Sequence, residues 1–180
     1  PVGRLDLDTE GALLLTNDGD LAHKLTHPSS RISKRYVVKV WKRPSDRSLE
    51  RIQRGMRLDD GPSQPCKIRI VDQTDTGNTW LEVTVTEGKN RLVRRLFDAV
   101  GHPVSKLRRE SFATISCRDL ERGELRPLSR DEVRRLQALA EGKNPSKKRG
   151  RTQRKKGYAM PRPKGGRKSR KNLARSRRAR

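Results

Sequence analysis

The residues best suited to chemistry lie in a polar stretch near the start of the chain, residues 3–19. Two carboxylates, Asp6 and Asp8, follow Arg4 in this stretch, and a short apolar run comes after them. A carboxylate beside an arginine tends to stay ionised and can act as a base or as a nucleophile. The alternative is a charged surface loop that is only solvated, which is the more frequent fate of such loops. These residues alone leave both interpretations open.

Three segments carry a longer pattern, and together they resemble a known family. Residues 3–19 read GRLDLDTEGALLLTNDG, residues 34–38 read KRYVV, and residues 87–101 read EGKNRLVRRLFDAVG. In the same order they are similar to three segments of the ribosomal RNA pseudouridine synthases of the RsuA/RluB type. The first segment departs from that family's signature, G-R-L-D-x-x-T-x-G-L-L-L-x-T-N-D-G, only at Ala12.

The resemblance implies a role for each matching residue. Asp6 matches the nucleophile that attacks the target uridine, so that its N1–sugar bond breaks and the base rotates and rejoins through C5. Arg94 matches the basic residue that pairs with the nucleophile, and Tyr36 matches the aromatic residue that packs against the flipped base and is a candidate for proton transfer. Val93 matches the aliphatic residue that closes the pocket, and Arg4 matches a residue that contacts RNA. The reaction implied needs no cofactor and no metal.

Each of these residues also has a plainer interpretation. Tyr36 and Val93 lie at apolar positions of a patterned strand and helix, and periodicity alone favours core roles for them. Arg94 could face solvent in a helix crowded with arginines. Asp8 is predicted to be a local capping or turn residue, and Asp18 a turn residue, because the sequence Asn-Asp-Gly is typical of turns. The three histidines lack metal-ligand spacing, so we predict no metal site.

Further basic residues near the motifs are predicted to contact RNA phosphates. These basic residues lie in two clusters, one within residues 87–101 and one within residues 106–109. Lysine and arginine side chains that converge on one face supply the electrostatic part of RNA affinity. The predicted contacts are Lys89, Arg91, Arg95, Lys106 and Arg108.

The charge of the chain is concentrated at one end. The 180 residues include 45 Lys or Arg and 21 Asp or Glu, for a net charge of +24. Residues 142–180 hold 18 of the basic residues and no acidic one, which leaves a net charge of +6 for residues 1–141. Residues 1–141 are therefore predicted to form the catalytic domain, and residues 142–180 a disordered tail that binds RNA. A solubilising tail or an anionic membrane surface is the alternative, although the tail lacks a regular apolar face.

Several sequence features bear on the cellular compartment of the protein, its association with membranes and the parent protein to which the chain belongs. Cys66 and Cys117 are isolated and lack CxxC spacing, which favours reduced cysteines in the cytoplasm. No run approaches the roughly 20 apolar residues of a membrane span, and the first residues do not resemble a secretory signal. Because the chain opens with Pro1, we expect it to be part of a longer protein that also carries the family's N-terminal S4 module and one further strand. A monomer without membrane association is expected.

Hydrophobic periodicity predicts an α+β fold with a mixed, largely antiparallel sheet and flanking helices. The predicted strands are residues 12–16, 36–41, 67–71, 80–85 and 104–115. The predicted helices are residues 21–27, a segment capped by Ser45 that stops at Gly55, residues 90–100, and a segment opened by the capping box at Ser129. Residues 67–85 are predicted to form a hairpin.

Two functions follow from these observations. The first is an enzyme that isomerises specific uridines of ribosomal RNA, of the 23S large-subunit RNA because the basic tail resembles the extensions of that branch, acting on the RNA or a pre-ribosomal particle. The second is a non-catalytic RNA-binding or ribosome-assembly protein that keeps the fold. The presence of Asp6, Tyr36 and Arg94 together favours the enzyme.

Overall fold

A computed structural model describes residues 1–143, so the predicted tail lies almost entirely outside the described residues. The helices are α1 (Gly19–Thr26), α2 (Asp46–Arg54), α3 (Leu92–Asp98) and α4 (Arg130–Ala140), with a 3-10 turn at Pro28–Ser30. The strands are β1 (Thr9–Gly11), β2 (Lys34–Val40), β3 (Arg57–Leu58), β4 (Gly61–Pro62), β5 (Lys67–Gln73), β6 (Thr79–Val85), β7 (Val104–Phe112) and β8 (Ile115–Ser116).

One main sheet organises these elements. Its strand order is β1-β7-β2-β6-β5, and β8 pairs with β7. Among the strands of residues 1–143, the β1–β7 pair is the parallel one and the other pairs in the sheet are antiparallel. Strands β3 and β4 form a separate small hairpin. The predicted α+β class and the largely antiparallel sheet are confirmed.

The apolar side chains form two clusters. The first packs α2 and α3 against β2 and β6, with Ile52, Leu81 and Phe97 fully buried at its centre. The second gathers Leu25 of α1 and Leu136 of α4 with residues from the N-terminal segment, β7 and β8. Among the described residues, no helix is long and apolar enough to cross a membrane.

Most of the predicted elements are confirmed, with small shifts at their ends. Ser45 caps α2, and Ser129 with Glu132 forms the capping box of α4. Strands β5 and β6 form the predicted hairpin. Asp18, predicted to be a turn residue, instead caps α1, where its carboxylate accepts a hydrogen bond from the Leu21 N–H at 2.9 Å. An aspartate can take this role because its short side chain reaches the free N–H groups of the first helical turn.

The predicted strand at residues 12–16 is wrong. The regular pairing with β7 ends at Gly11 opposite Arg109, and the Ala12 N–H adds one last bond to the Arg109 carbonyl. Beyond this point β8 folds back onto the same edge of β7 and takes the partners that residues 12–16 would need. The predicted strand 104–115 is divided for the same reason, since β7 ends at Phe112 and the chain turns into β8.

Gly11 is the position where the active-site segment approaches β7 most closely. Its φ angle is +114°, a conformation that side chains disfavour. A β-carbon at this position would overlap the backbone carbonyl oxygen of Arg109. The parallel pair β1–β7 therefore depends on a glycine here.

We expect Gly11→Ala to lower the free energy of unfolding by at least about 2 kcal/mol, because the methyl group adds backbone strain to the overlap with β7. Gly19→Ala is the matched control, since a β-carbon there meets nothing within 4 Å. Urea unfolding followed by circular dichroism measures both variants. Equal stability of the two would show that β1 does not need this close approach.

Candidate active site

A cavity of about 310 Å³ opens between the N-terminal segment, the sheet and the start of α3. Six residues predicted for the site or for RNA contacts line it, contributed by three separate parts of the sequence. They are Arg4, Asp6, Tyr36, Lys89, Arg91 and Val93. The structure thus brings together the nucleophile candidate, the aromatic residue and the aliphatic residue that the three motifs predict.

A tight turn presents Asp6 to this cavity. The Thr9 N–H donates to the Asp6 carbonyl oxygen at 2.9 Å, and Leu7 between them is fully exposed. On the other side of the turn, the Val2 N–H donates to the Leu14 carbonyl at 2.8 Å, which ties the start of the segment to its end. The Asp6 side chain keeps about a third of its surface open to solvent, at 32 %. A carboxylate in this position is accessible to a ligand.

Arg94 contacts a different carboxylate from the one predicted. Its Nη2 lies 3.0 Å from Asp8 Oδ2 and also donates to the Asp8 carbonyl oxygen at 3.0 Å, while its Nη1 donates to the Val104 carbonyl at 3.2 Å. The predicted pairing of Arg94 with Asp6 is therefore corrected. The 6–9 turn brings Asp8, two residues after Asp6, against the buried guanidinium. Asp8 thus does more than the turn role predicted for it.

Among residues 1–143, the cation that forms an ion pair with Asp6 is Arg91. Its Nη1 lies 4.0 Å from Asp6 Oδ2 and 3.5 Å from Asp8 Oδ1, so it faces both carboxylates of the turn. Arg91 has a left-handed backbone conformation, with φ of 45°, immediately before α3. This conformation also explains why the helix begins at Leu92, two residues later than predicted. A residue predicted to contact phosphate is placed beside the nucleophile candidate.

Tyr36 lies on β2 directly opposite Arg109 of β7. Burial raises the pKa of Tyr36, while the positive charge of Arg109 and a side-chain hydrogen bond with Arg109 oppose that rise, and the Asp6 carboxylate adds to it. The tyrosine hydroxyl is therefore protonated at neutral pH and is able to donate a hydrogen bond. Val93, which is 4 % exposed, belongs both to the cavity wall and to the first apolar cluster. The core role that periodicity favoured for Val93 and the role that the resemblance implies are compatible.

Two predicted RNA contacts have partners within the protein. Arg95 forms a bidentate ion pair with Asp60, with Nη1 2.9 Å from Oδ2. Hydrogen bonding to this guanidinium lowers the pKa of Asp60 to about 2. The Lys89 ammonium donates to the carbonyl oxygens of Gly61 and Pro62 at 3.1 and 2.9 Å. Both side chains thereby hold the β3–β4 hairpin beside the cavity. RNA binding by Arg95 and Lys89 stays a prediction.

The remaining two predicted contacts, Lys106 and Arg108, lie on β7 and do not line the cavity. Lys106 is exposed, while Arg108 is half-buried and borders a second groove next to residues 10–15. Within residues 1–143, no cluster of three side chains could hold a metal ion.

Arg109 was not among the predicted site residues, yet it lines the cavity and is only 3 % exposed. It stands in a run of basic residues that looks solvent-facing as a whole. Strand alternation offered a signal, because residues two apart share one face of a strand and Leu107 is buried beside it. Two further lining residues, Lys34 and Phe112, were not predicted for the site, although Lys34 is the first residue of the KRYVV motif.

Comparison with known proteins gives the same assignment as the motifs. A family model described as RNA pseudouridylate synthase matches residues 1–99. The chain is 47 % identical over 146 residues to the ribosomal large subunit pseudouridine synthase B of Bacillus subtilis, covering 80 % of this chain and 60 % of that protein. It is 38 % identical over 135 residues to the ribosomal large subunit pseudouridine synthase E of Vibrio parahaemolyticus, covering 68 % of this chain and 57 % of the relative.

A solved structure is also similar. It is described as the crystal structure of pseudouridylate synthase, and it matches with a TM-score of 0.69 and 33 % identity over 75 % of this chain and 58 % of that one. The chain thus spans 60 % of the length of the first of these two curated relatives and 57 % of the second. With the motif order, the cavity and these likenesses in agreement, the chain belongs to the RNA pseudouridylate synthase family, in its RsuA/RluB-type branch.

Proposed function

We propose that the protein converts uridine in large-subunit ribosomal RNA to pseudouridine, with Asp6 as the nucleophile. The observation that carries this proposal is the meeting of Asp6, Tyr36 and Val93 in one cavity, although they come from three segments of the sequence. Family membership supports the reaction class, and the names of the relatives from Bacillus subtilis and Vibrio parahaemolyticus support the large subunit as the source of the RNA.

The chemistry is an isomerisation. Asp6 attacks the target nucleotide, the bond between N1 and the sugar breaks, and the base rotates within the cavity. A bond then forms between C5 and the sugar, and the bond that Asp6 made to the nucleotide breaks, which regenerates the carboxylate. C5 loses its proton and N1 gains one, so that the product has the same composition as the substrate. The target base has to leave its stack first, at a cost of a few kcal/mol that contacts with the protein offset.

Each residue of the cavity has its own role in this reaction. Arg91, 4.0 Å from the Asp6 carboxylate, stabilises its negative charge. Tyr36 offers an aromatic ring for the flipped base and a protonated hydroxyl beside it. Arg4 lines the same cavity and supplies a positive charge for the RNA backbone near the vacated position.

Arg94 acts indirectly, through the turn that carries Asp6. Its guanidinium joins α3, β7 and the turn that carries Asp6, through Asp8 and the Val104 carbonyl. Its side chain is only 9 % exposed, so the contact is shielded from solvent on that side. Arg94 therefore positions the turn, and Asp8 is the partner that keeps its buried charge compensated.

We also propose a partner, an oligomeric state and a cellular compartment for the protein. The RNA, free or within a pre-ribosomal particle, is the partner, and a monomer in the cytoplasm carries out the reaction. Residues 142–180 add affinity for RNA through their 18 basic side chains, with little dependence on RNA sequence.

We expect Asp6→Asn to abolish pseudouridine formation and to leave RNA affinity nearly unchanged, because the amide keeps the shape of the side chain but is a poor nucleophile. Carbodiimide treatment and primer extension on large-subunit RNA map the modified uridines. Asp20→Asn, an exposed carboxylate on α1, is the control and is expected to retain full activity. Pseudouridine formed by Asp6→Asn would reject Asp6 as the nucleophile, and a wild-type protein without activity would favour an RNA-binding role.

Asp8→Asn is expected to lower the free energy of unfolding by about 1–2 kcal/mol, since Arg94 loses its counter-charge while the half-exposed position of Asp8 weakens the effect. Urea denaturation measures the change. Asp75→Asn, in the exposed turn between β5 and β6, serves as the matched control. The positioning role of the Asp8–Arg94 contact would be refuted if both variants unfolded at the wild-type urea concentration.

Deleting residues 142–180 is expected to weaken RNA binding and to reduce the slope of log affinity against log salt concentration, because fewer counterions are released from the RNA. Filter binding at several salt concentrations measures the slope for the whole chain and for residues 1–141. An unchanged slope would show that the basic segment takes no part in binding.

A further inference from the structure

The cavity is lined by more positive than negative side chains. Two of its lining residues, Asp6 and Glu87, are acidic, and five are basic. The basic ones are Arg4, Lys34, Lys89, Arg91 and Arg109. RNA carries a negative charge at each phosphate, so a lining of this kind suits the RNA backbone as well as the base.

Three of the five basic side chains have acceptors within the protein. Arg91 faces the two carboxylates of the turn that carries Asp6. Lys89 donates to the carbonyl oxygens of the β3–β4 hairpin, and Arg109 donates to two backbone carbonyl oxygens that flank the Asp6 turn. Of the two that remain, Arg4 is exposed, whereas Lys34 is half-buried in the cavity wall.

Lys34 is the first residue of β2, and its ammonium has donors to spare. Nζ lies over the Phe112 ring, 5.7 Å from the ring centre, and donates to the Ile32 carbonyl oxygen at 3.2 Å. An ammonium has three N–H donors, and this is the one hydrogen bond that it forms within the described part of the chain. Two donors are therefore left for a ligand.

Open space lies beside this ammonium. Gly88, which also lines the cavity, has no side chain to fill the space next to Lys34. A β-carbon built on Gly88 would meet a single neighbour within 4 Å, the Lys34 Nζ at 3.9 Å. A ligand in the cavity can therefore approach the ammonium from this side.

The charge of Lys34 is poorly compensated by the protein. Glu87 accepts a hydrogen bond from the Gln64 N–H at 2.8 Å, and among residues 1–143 no carboxylate forms an ion pair with Lys34. Burial, and then the positive charge of Arg109, lower the pKa of Lys34, and the negative charge of Glu87 opposes this only in part. A half-buried ammonium in such surroundings is stabilised by an anion that binds beside it.

The RNA supplies this anion in its phosphates. We propose that the Lys34 ammonium binds a backbone phosphate next to the target uridine, in the cavity that holds the flipped base against Tyr36. Lys34 and Tyr36 are two residues apart on one face of β2, a separation of about 6–7 Å, so one nucleotide can contact both. This inference rests on the proposed function and names a contact that holds the nucleotide in place without reading its base.

A cycle of protein and RNA changes tests the contact. Fragments of large-subunit RNA are synthesised in which the phosphate on the 5′ or the 3′ side of the mapped uridine is replaced by a neutral methylphosphonate. A 2′-deoxy sugar before the linkage keeps it stable, and each reference RNA carries the same sugar with an ordinary phosphate. Isomerisation rates at subsaturating protein, which report kcat/KM, are measured for the wild-type protein and for Lys34→Met, which removes the charge and keeps the length of the side chain.

For the wild type we expect one of the two methylphosphonate RNAs to react about 10- to 100-fold more slowly than its reference, the size of effect expected for a hydrogen bond between charged groups. Lys34→Met is expected to lose a similar factor on the reference RNA and to show little further loss on that methylphosphonate RNA, because both changes remove the same contact. The contact is overturned if Lys34→Met suffers the same methylphosphonate penalties as the wild type, or if the wild type suffers none with either RNA.

Controls separate this contact from the fold and from the proposed function. Lys67→Met is the matched control, since Lys67 is exposed and lies opposite Thr84, on the face of the sheet that points away from the cavity. It should keep the wild-type rates and the wild-type penalties. Thermal unfolding checks Lys34→Met, and Lys34→Gln replaces it if it does not fold.

The remaining outcomes are also decisive. If a folded variant or a reference RNA gives no turnover, the same comparison is made on RNA dissociation constants in the Asp6→Asn background. A wild-type protein that is inactive on unmodified RNA rejects the proposed function, and the Lys34 contact with it. An active wild-type protein whose methylphosphonate penalties add to those of the Lys34 variant rejects only the Lys34 contact.

Discussion

The parallel contact between β1 and β7 is the interaction on which the rest of the site depends. It joins Gly11 to Arg109 in the sheet, and the side chain of Arg109 extends the contact to the carbonyls of Ala12 and Arg4. Because β7 also pairs with β2, this contact fixes the distance between the Asp6 turn and Tyr36. Without it, the first residues of the chain would be held by their apolar contacts and by the contact between Asp8 and Arg94.

A second anchor acts from the opposite side of the turn. Asp8 contacts Arg94, and Arg94 in turn contacts the first residue of β7, so that α3, the turn and the sheet meet at one buried guanidinium. Arg91 faces Asp6 from the end of the same helix. Asp6 helps to hold the turn through its backbone carbonyl, and its side-chain carboxylate is open to the cavity. A nucleophile benefits from this arrangement, since its neighbours are anchored by several contacts while its own carboxylate, with Arg91 beside it, lines the cavity.

The sequence indicated which residues meet at the cavity better than it indicated their partners. Local signals were sufficient for the capped helices and for the β5–β6 hairpin, because caps and turns depend on neighbouring residues. The strand expected at residues 12–16 failed because β8, about 100 residues later, occupies the edge of β7. The partner of Arg94 could not be read from spacing, since it depends on how the 6–9 turn is closed. Arg95 looked free for RNA because Asp60, its partner, is distant in sequence.

The proposed reaction is an isomerisation of uridine in the cavity, in which a new bond forms at C5. Release of tritium from large-subunit RNA labelled at C5 of uridine tests it most directly, because that hydrogen is lost only when the new bond forms. The account predicts release by the wild-type protein, in an amount equal to the pseudouridine formed and undiminished by a metal chelator. An RNA that is bound tightly but keeps all of its tritium would contradict the account.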